Sequence, residues 1–255
     1  MIDISQDGPL TVLTFSNGEV NLWDKAFGDE WRAAIERLVA EPPRGLLIRA
    51  EGRIVTGGVD VHEFEGLNRE TGGSLWSELI AFVQSVEDLP CPTVFAAHAL
   101  CLTWGFEIAM ACDLLVASEK AKFGLVEKVV GITPAMGGTQ RLALRAGPAR
   151  AKEFVMTGEL YDAPTLHGWG AVNKVWPAAS FEDEARAFAR SLADGPTQAH
   201  AVTKKLVDVS VADGARAADA LVPELCGGLF DTEDAQNAIA SFLRDGPGKA
   251  TYVGR

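Results

Sequence analysis

The short apolar runs Gly45–Ala50, Pro92–Ala97 and Asp113–Ala117 most constrain how this chain folds. Each is a compact, nearly continuous hydrophobic segment bounded by turn or helix signals, which predicts a strand buried on both faces. Between them the spacing turns helical. Asp24 to Ala40 carries Phe27, Trp31, Ile35, Leu38 and Val39 at helical intervals, with Asp24 as N-cap, and Pro42-Pro43 stops it. Leu75–Val86 predicts a second helix, and a third surrounds Glu107. Thr11–Phe15 predicts an earlier strand, closed by the turn Ser16-Asn17-Gly18. Strands alternating with helices predict right-handed βαβ units, an α/β fold. After residue 136 the pattern is mostly helical: Ser180–Leu192, Thr197–Val209 and Asp231–Leu243 predict helices, with one strand, Ala171–Val175, among the later elements. The expected organisation is an α/β core over residues 1–195 and a helical segment over 196–255.

The chain has 255 residues, 47% hydrophobic and 23% charged, the balance of an ordinary globular protein. Its net charge of -12 argues against binding nucleic acid or an anionic membrane surface, although a local basic patch can still hold a phosphorylated ligand. The most apolar region, Val94–Ala117, is broken by His98, Thr103, Glu107 and Asp113, so no membrane span is expected. Cys91, Cys101, Cys112 and Cys226 lack zinc or redox spacing; Cys101 and Cys112 read as small core residues. The histidines show no metal spacing, so no metal is expected. The N-terminus shows no secretory signal, and the expected location is cytoplasmic.

Two carboxylates sit in apolar surroundings: Glu107 within Trp104–Cys112 and Glu127 within Phe123–Gly131. An ionised carboxylate is costly to bury, so such a group is normally paired, protonated or used. Two of them ahead of the glycine-rich turn Pro134–Leu142 point to a site in which one gives a proton and the other takes one. The plainer readings are a rim glutamate at 107 and a surface ion pair between Glu127 and Lys128. Likewise Gly57-Gly58 reads as a tight turn, and Asp60 as an N-cap over Val61–Phe64.

Taken in order, Gly52–Val61, the Glu107 segment, Glu127 with Gly137-Gly138-Thr139-Gln140-Arg141-Leu142, and Thr157–Val175 resemble the crotonase superfamily, the enoyl-CoA hydratases and isomerases. The resemblance covers nearly the whole chain. It implies a crotonase-like (ClpP/crotonase) spiral of ββα units, with 196–255 as an oligomerisation segment building a homotrimer or hexamer. It also implies hydration of a 2-enoyl-CoA by Glu107 and Glu127. The backbone N–H groups of Val59 and Trp104 would form the oxyanion hole, and Gly57, Gly58, Asp60, Val61 and Lys249 would lie at the substrate or CoA. The partner is then an acyl-CoA, with no cofactor beyond the coenzyme A it carries. The alternatives are an isomerase working with Glu127 alone, or a non-catalytic acyl-CoA-binding member. The chain departs from the pattern at His98–Gly105, where only Gly105 of a glycine triplet remains and Trp104 brings an indole to where a flat thioester is expected. Val126 stands where proline is common, and Ser16-Asn17-Gly18 replaces Asn-Arg-Pro.

Overall fold

The computed structural model describes the whole chain, Met1–Arg255. An antiparallel hairpin, β1 (Ile2–Asp7) and β2 (Leu10–Phe15), opens it. Helix α1 (Lys25–Ala40) leads to β3 (Gly45–Ala50), and α2 (Arg69–Glu87) leads to β4 (Thr93–Ala97). A short strand β5 (Cys101–Leu102) precedes α3 (Trp104–Ala111) and β6 (Leu114–Ser118). Next come β7 (Lys122–Gly124), α4 (Gly138–Ala146), α5 (Pro148–Thr157), β8 (Tyr161–Asp162), α6 (Ala163–Gly168) and β9 (Lys174–Trp176). Helices α7 (Phe181–Ala193), α8 (Thr197–Asp213), α9 (Ala215–Gly228) and α10 (Glu233–Asp245) complete the chain.

The main sheet runs β1-β2-β3-β4-β6-β9, parallel except for the first pair, and a small sheet runs β5-β7-β8. Both faces of the main sheet are covered, which is why its strands read as continuous apolar runs. One face carries Leu13, Phe15, Ile48 and Phe95 into the larger core with α1 and α3. The other packs Val12, Leu47, Val94 and Val116 against Phe181, Ala185 and Ala189 of α7. Asp24 caps α1 as expected, accepting from Phe27 N at 2.8 Å. Asp234, at the start of α10, accepts from the amides of Val253 and Gly254 at 2.6 and 2.9 Å and folds the tail back onto the helix. No helix is long and apolar enough to cross a membrane.

The short strands β5, β7 and β8 and helix α9 add to the elements expected, and three others differ for local reasons. β1 is an edge strand whose polar residues hide its pairing. Helix α2 starts at Arg69, not Leu75, because Asn68 and Thr71 form a reciprocal capping box that carries the helix through Gly72-Gly73. The predicted strand Ala171–Val175 is displaced to Lys174–Trp176, since the amides of Ala171 and Val172 both donate to Leu166 O and close α6.

Candidate active site

Glu107 lies in α3, whose residues are all buried, and is itself 3% exposed. Its Oε1 accepts hydrogen bonds from the amides of Met136 and Gly138, both at 2.9 Å. The glycine-rich turn is therefore the cradle of this carboxyl. A Cβ on Gly138 would stand 2.7 Å from Glu107 Cγ, so glycine is what permits the approach. Arg141 is ion-paired with Glu87 and reaches back to Gly137 O, steadying the same turn. Burial pushes the Glu107 carboxyl up to about 7, against the opposing pull of the Gly138 and Met136 amides and the Arg141 charge.

Glu127 opens a short 3₁₀ turn, Glu127–Val130, after β7. Its Oε2 is buried and has no partner in the protein. Burial first, and then the charge of Glu107, pushes this carboxyl up to about 8. Two raised carboxyls that sense one another titrate as a pair.

Both glutamates line one cavity of about 220 Å³, together with Val59 and the apolar side chains of Trp23, Phe64, Trp76 and Met136. A larger groove of about 830 Å³ lies against α8 and contains Asp113 and Lys204, ion-paired at 3.0 Å. None of the predicted site residues lies there.

The linkage has a definite sign. Both carboxyls fold with pKa values above the ordinary 4.5 of glutamate. Over the interval from about 4.5 to 8 the folded chain holds protons that the unfolded chain has released, so this contribution to stability falls as pH rises. Glu127→Gln removes the titration at that position. Its stability relative to the parent is expected to rise between about pH 5 and pH 8, checked by urea unfolding at both values.

Val59 pairs as an isolated parallel bridge with Trp23. Neither its amide nor that of Trp104 donates to an acceptor within the protein. The expectation that the Trp104 indole occupies the thioester's place is corrected. Trp104 is 0% exposed, is not in the cavity lining, and packs inward with ring centroids 5.2 Å from Trp23, 5.3 Å from Phe15 and 5.8 Å from Phe27. A Cβ on Gly105 would sit 2.5 Å from Thr56 Cγ2, so the one glycine kept from the triplet is what lets α3 meet the loop carrying Val59. Thr103 adopts φ 45° and ψ -120°, a glycine-type conformation that costs a branched residue about 1–3 kcal/mol.

Gly57, Gly58, Asp60 and Val61 sit next to Val59 in sequence but do not line the cavity. Asp60 accepts from His62 N at 3.1 Å and caps the turn Val61–Phe64, as the plainer reading has it. Lys249 is exposed on the tail and outside this lining. His98 contacts Gly52 O at 3.0 Å and is likewise outside it.

The sequence reading missed Asn21. It is 1% exposed at φ 51°, and its side chain donates to Glu51 O and Val55 O at 2.9 and 3.0 Å and accepts from Asn17 N at 2.6 Å. It fastens the first crossover to the Val55–Val59 loop. The available signal was asparagine's tolerance of the left-handed region in a glycine-containing turn.

The family model for enoyl-CoA hydratase/isomerase matches residues 6–249. The chain belongs to the enoyl-CoA hydratase/isomerase family. It is 30% identical over 245 residues to a probable enoyl-CoA hydratase of Bacillus subtilis, covering 95% of each chain. It is also 30% identical over 201 residues to a short-chain-enoyl-CoA hydratase of Clostridium acetobutylicum, covering 78% of this chain and 76% of that one. The crystal structure of an enoyl-CoA hydratase from Bacillus anthracis superposes with a TM-score of 0.91 at 25% identity, covering 100% of this chain and 99% of the other. The crotonase fold expected from the motifs is the fold observed. Glu107, Glu127 and the family's glycine-rich turn meet at one cavity within it.

Proposed function

We propose that this protein is an enoyl-CoA hydratase, adding water reversibly across the double bond of a 2-enoyl-CoA thioester. The observation that carries the reading is the convergence of Glu107 and Glu127, both with raised pKa values, on one largely apolar cavity. With one proton between them, the ionised carboxylate takes a proton from water as the water oxygen bonds to the β-carbon. The protonated one delivers its proton to the α-carbon, so the π bond is replaced by one C–O and one C–H bond. Negative charge gathers meanwhile on the thioester oxygen. The donors we assign to it are the free amide of Val59, which lines the cavity, and that of Trp104, outside the lining but at the N-terminus of α3 where the helix dipole favours an anion. Trp23, Phe64 and Trp76 supply apolar surface for the acyl group, and Lys25 and Arg32 supply positive charge at the same cavity for a CoA phosphate. The reaction asks for no cofactor beyond the coenzyme A of its substrate.

One observation favours a second reading. Glu107 Oε1 is fully engaged by two amides, as a structural carboxyl would be, which would leave Glu127 to shuttle a proton alone in an isomerase. The inward-facing indole removes the obstacle that motivated a non-catalytic reading. The first test is the conjugated-thioester absorbance of a series of 2-enoyl-CoA substrates. It is expected to decay to an equilibrium mixture with the 3-hydroxyacyl-CoA, and an unchanged absorbance for every chain length would overturn the proposal.

The exposed apolar side chains of Val207, Val211, Ile239, Phe242 and Leu243 on the C-terminal helices support a homotrimer or hexamer assembled through residues 196–255. Sedimentation at the mass of a single chain would remove that assignment. The free, buried thiols of Cys91, Cys101 and Cys112 suit a reducing cytoplasm, and the proposed reaction would serve acyl-CoA metabolism there.

A further inference from the structure

We infer that the Trp104 indole is a positioning group for the oxyanion hole: its Nε1–H grips the carbonyl of the peptide whose N–H, that of Val59, is the opposite donor. The inference rests on the assignment of the Val59 and Trp104 amides as the oxyanion donors. Trp104 Nε1 donates to Gly58 O at 3.0 Å in a fully buried setting. The same oxygen accepts from Trp23 N at 2.9 Å. A trans peptide is planar, with its C=O and N–H directed oppositely. Two donors fixed on Gly58 O therefore fix the direction of the Val59 N–H. They also polarise the unit, making that N–H a stronger donor by about 10–30% per bond. Trp104 thus acts twice: its own amide is one donor, and its side chain sets the other.

Packing alone does not explain the bond. The indoles of Trp31 and Trp104 share one aromatic cluster, with ring centroids 5.9 Å apart, yet Trp31 Nε1 is buried without any partner. The cluster therefore tolerates an unbonded indole. The bond is also particular in its acceptor, the carbonyl of the peptide between Gly58, at φ 110°, and Val59. Glycine, which the family pattern places at 104, has no side chain to supply such a link.

The test compares the parent with Trp104→Phe, which keeps an aromatic ring and removes the N–H. The probe is 4-dimethylaminocinnamoyl-CoA, whose push–pull chromophore shifts to the red when its thioester carbonyl is polarised. The parent is expected to red-shift the bound probe. Trp104→Phe is expected to bind it with similar affinity, to lose much of the shift, and to lower kcat about tenfold with KM nearly unchanged, less than outright loss of an oxyanion donor. A full shift and unaltered kcat in the variant would overturn the inference while leaving the oxyanion assignment standing. No shift in the parent that binds the probe would overturn the assignment and the inference together. Should Trp104→Phe lose its cooperative thermal transition, installing benzothienylalanine at 104 makes the same comparison with the shape of the indole kept and only the N–H replaced by sulfur.

Discussion

Glu107→Gln and Glu127→Gln are each expected to lower kcat for hydration by about a thousandfold, a loss of the size that general acid–base groups supply. The glutamine at 107 isolates proton transfer from architecture. Its carboxamide oxygen can still accept from the Met136 and Gly138 amides, so the turn keeps its cradle. The glutamine at 127 replaces a carboxyl whose Oε2 has no protein partner. CoA thioester binding is accordingly expected to persist in both, measured by titration calorimetry beside steady-state kinetics. The double variant should be little slower than either single one, because one carboxyl without the other cannot complete the proton exchange. Near-parent turnover by Glu107→Gln, with double-bond migration intact, would move the assignment to an isomerase using Glu127 alone. Near-parent hydration by both variants would sink the two-carboxyl mechanism.

Trp104→Ala is expected to destabilise the fold by about 3–5 kcal/mol, the range for truncating a large buried aromatic. The indole is fully buried, with the rings of Phe15, Trp23, Phe27 and Trp31 all within 5.9 Å of its centroid. Those rings belong to β2, the loop before α1, and α1 itself, so the void would open where α3 meets the first crossover. That loss is a large share of the 5–15 kcal/mol typical of a folded domain. Urea unfolding is the measurement. Leu144→Ala, at a site 68% exposed on α4, is the control and should stay within about 0.5 kcal/mol of the parent. Comparable losses in the two variants would mean that the Trp104 ring contributes no more to the fold than an exposed side chain.

Much of this was legible without coordinates, for identifiable reasons. The runs at Gly45–Ala50 and Thr93–Ala97 are parallel strands covered on both faces, and full burial leaves a continuous apolar signature. Glu107 and Glu127 stood out because a carboxyl in an apolar segment needs a reason. The direction of the Trp104 side chain was not legible. Every residue of α3 is buried, so the sequence has no polar face from which to tell core from cavity. The Met136 and Gly138 amides went unnoticed as partners of Glu107 because backbone donors leave no mark on residue type; only the paired glycines hinted at a close approach. The N-terminal strand was hidden by the polarity of Ser5, Gln6 and Asp7.

The aromatic cluster around residue 104 also constrains which substitutions the core can accept. A glycine at 104 would hollow out the packing built by Phe15, Trp23, Phe27 and Trp31. Refilling that space would take bulk from elsewhere, through coordinated replacements at several ring positions. Position 104 is therefore coupled energetically to its four aromatic neighbours, and the effects of substitutions among them are expected to be non-additive.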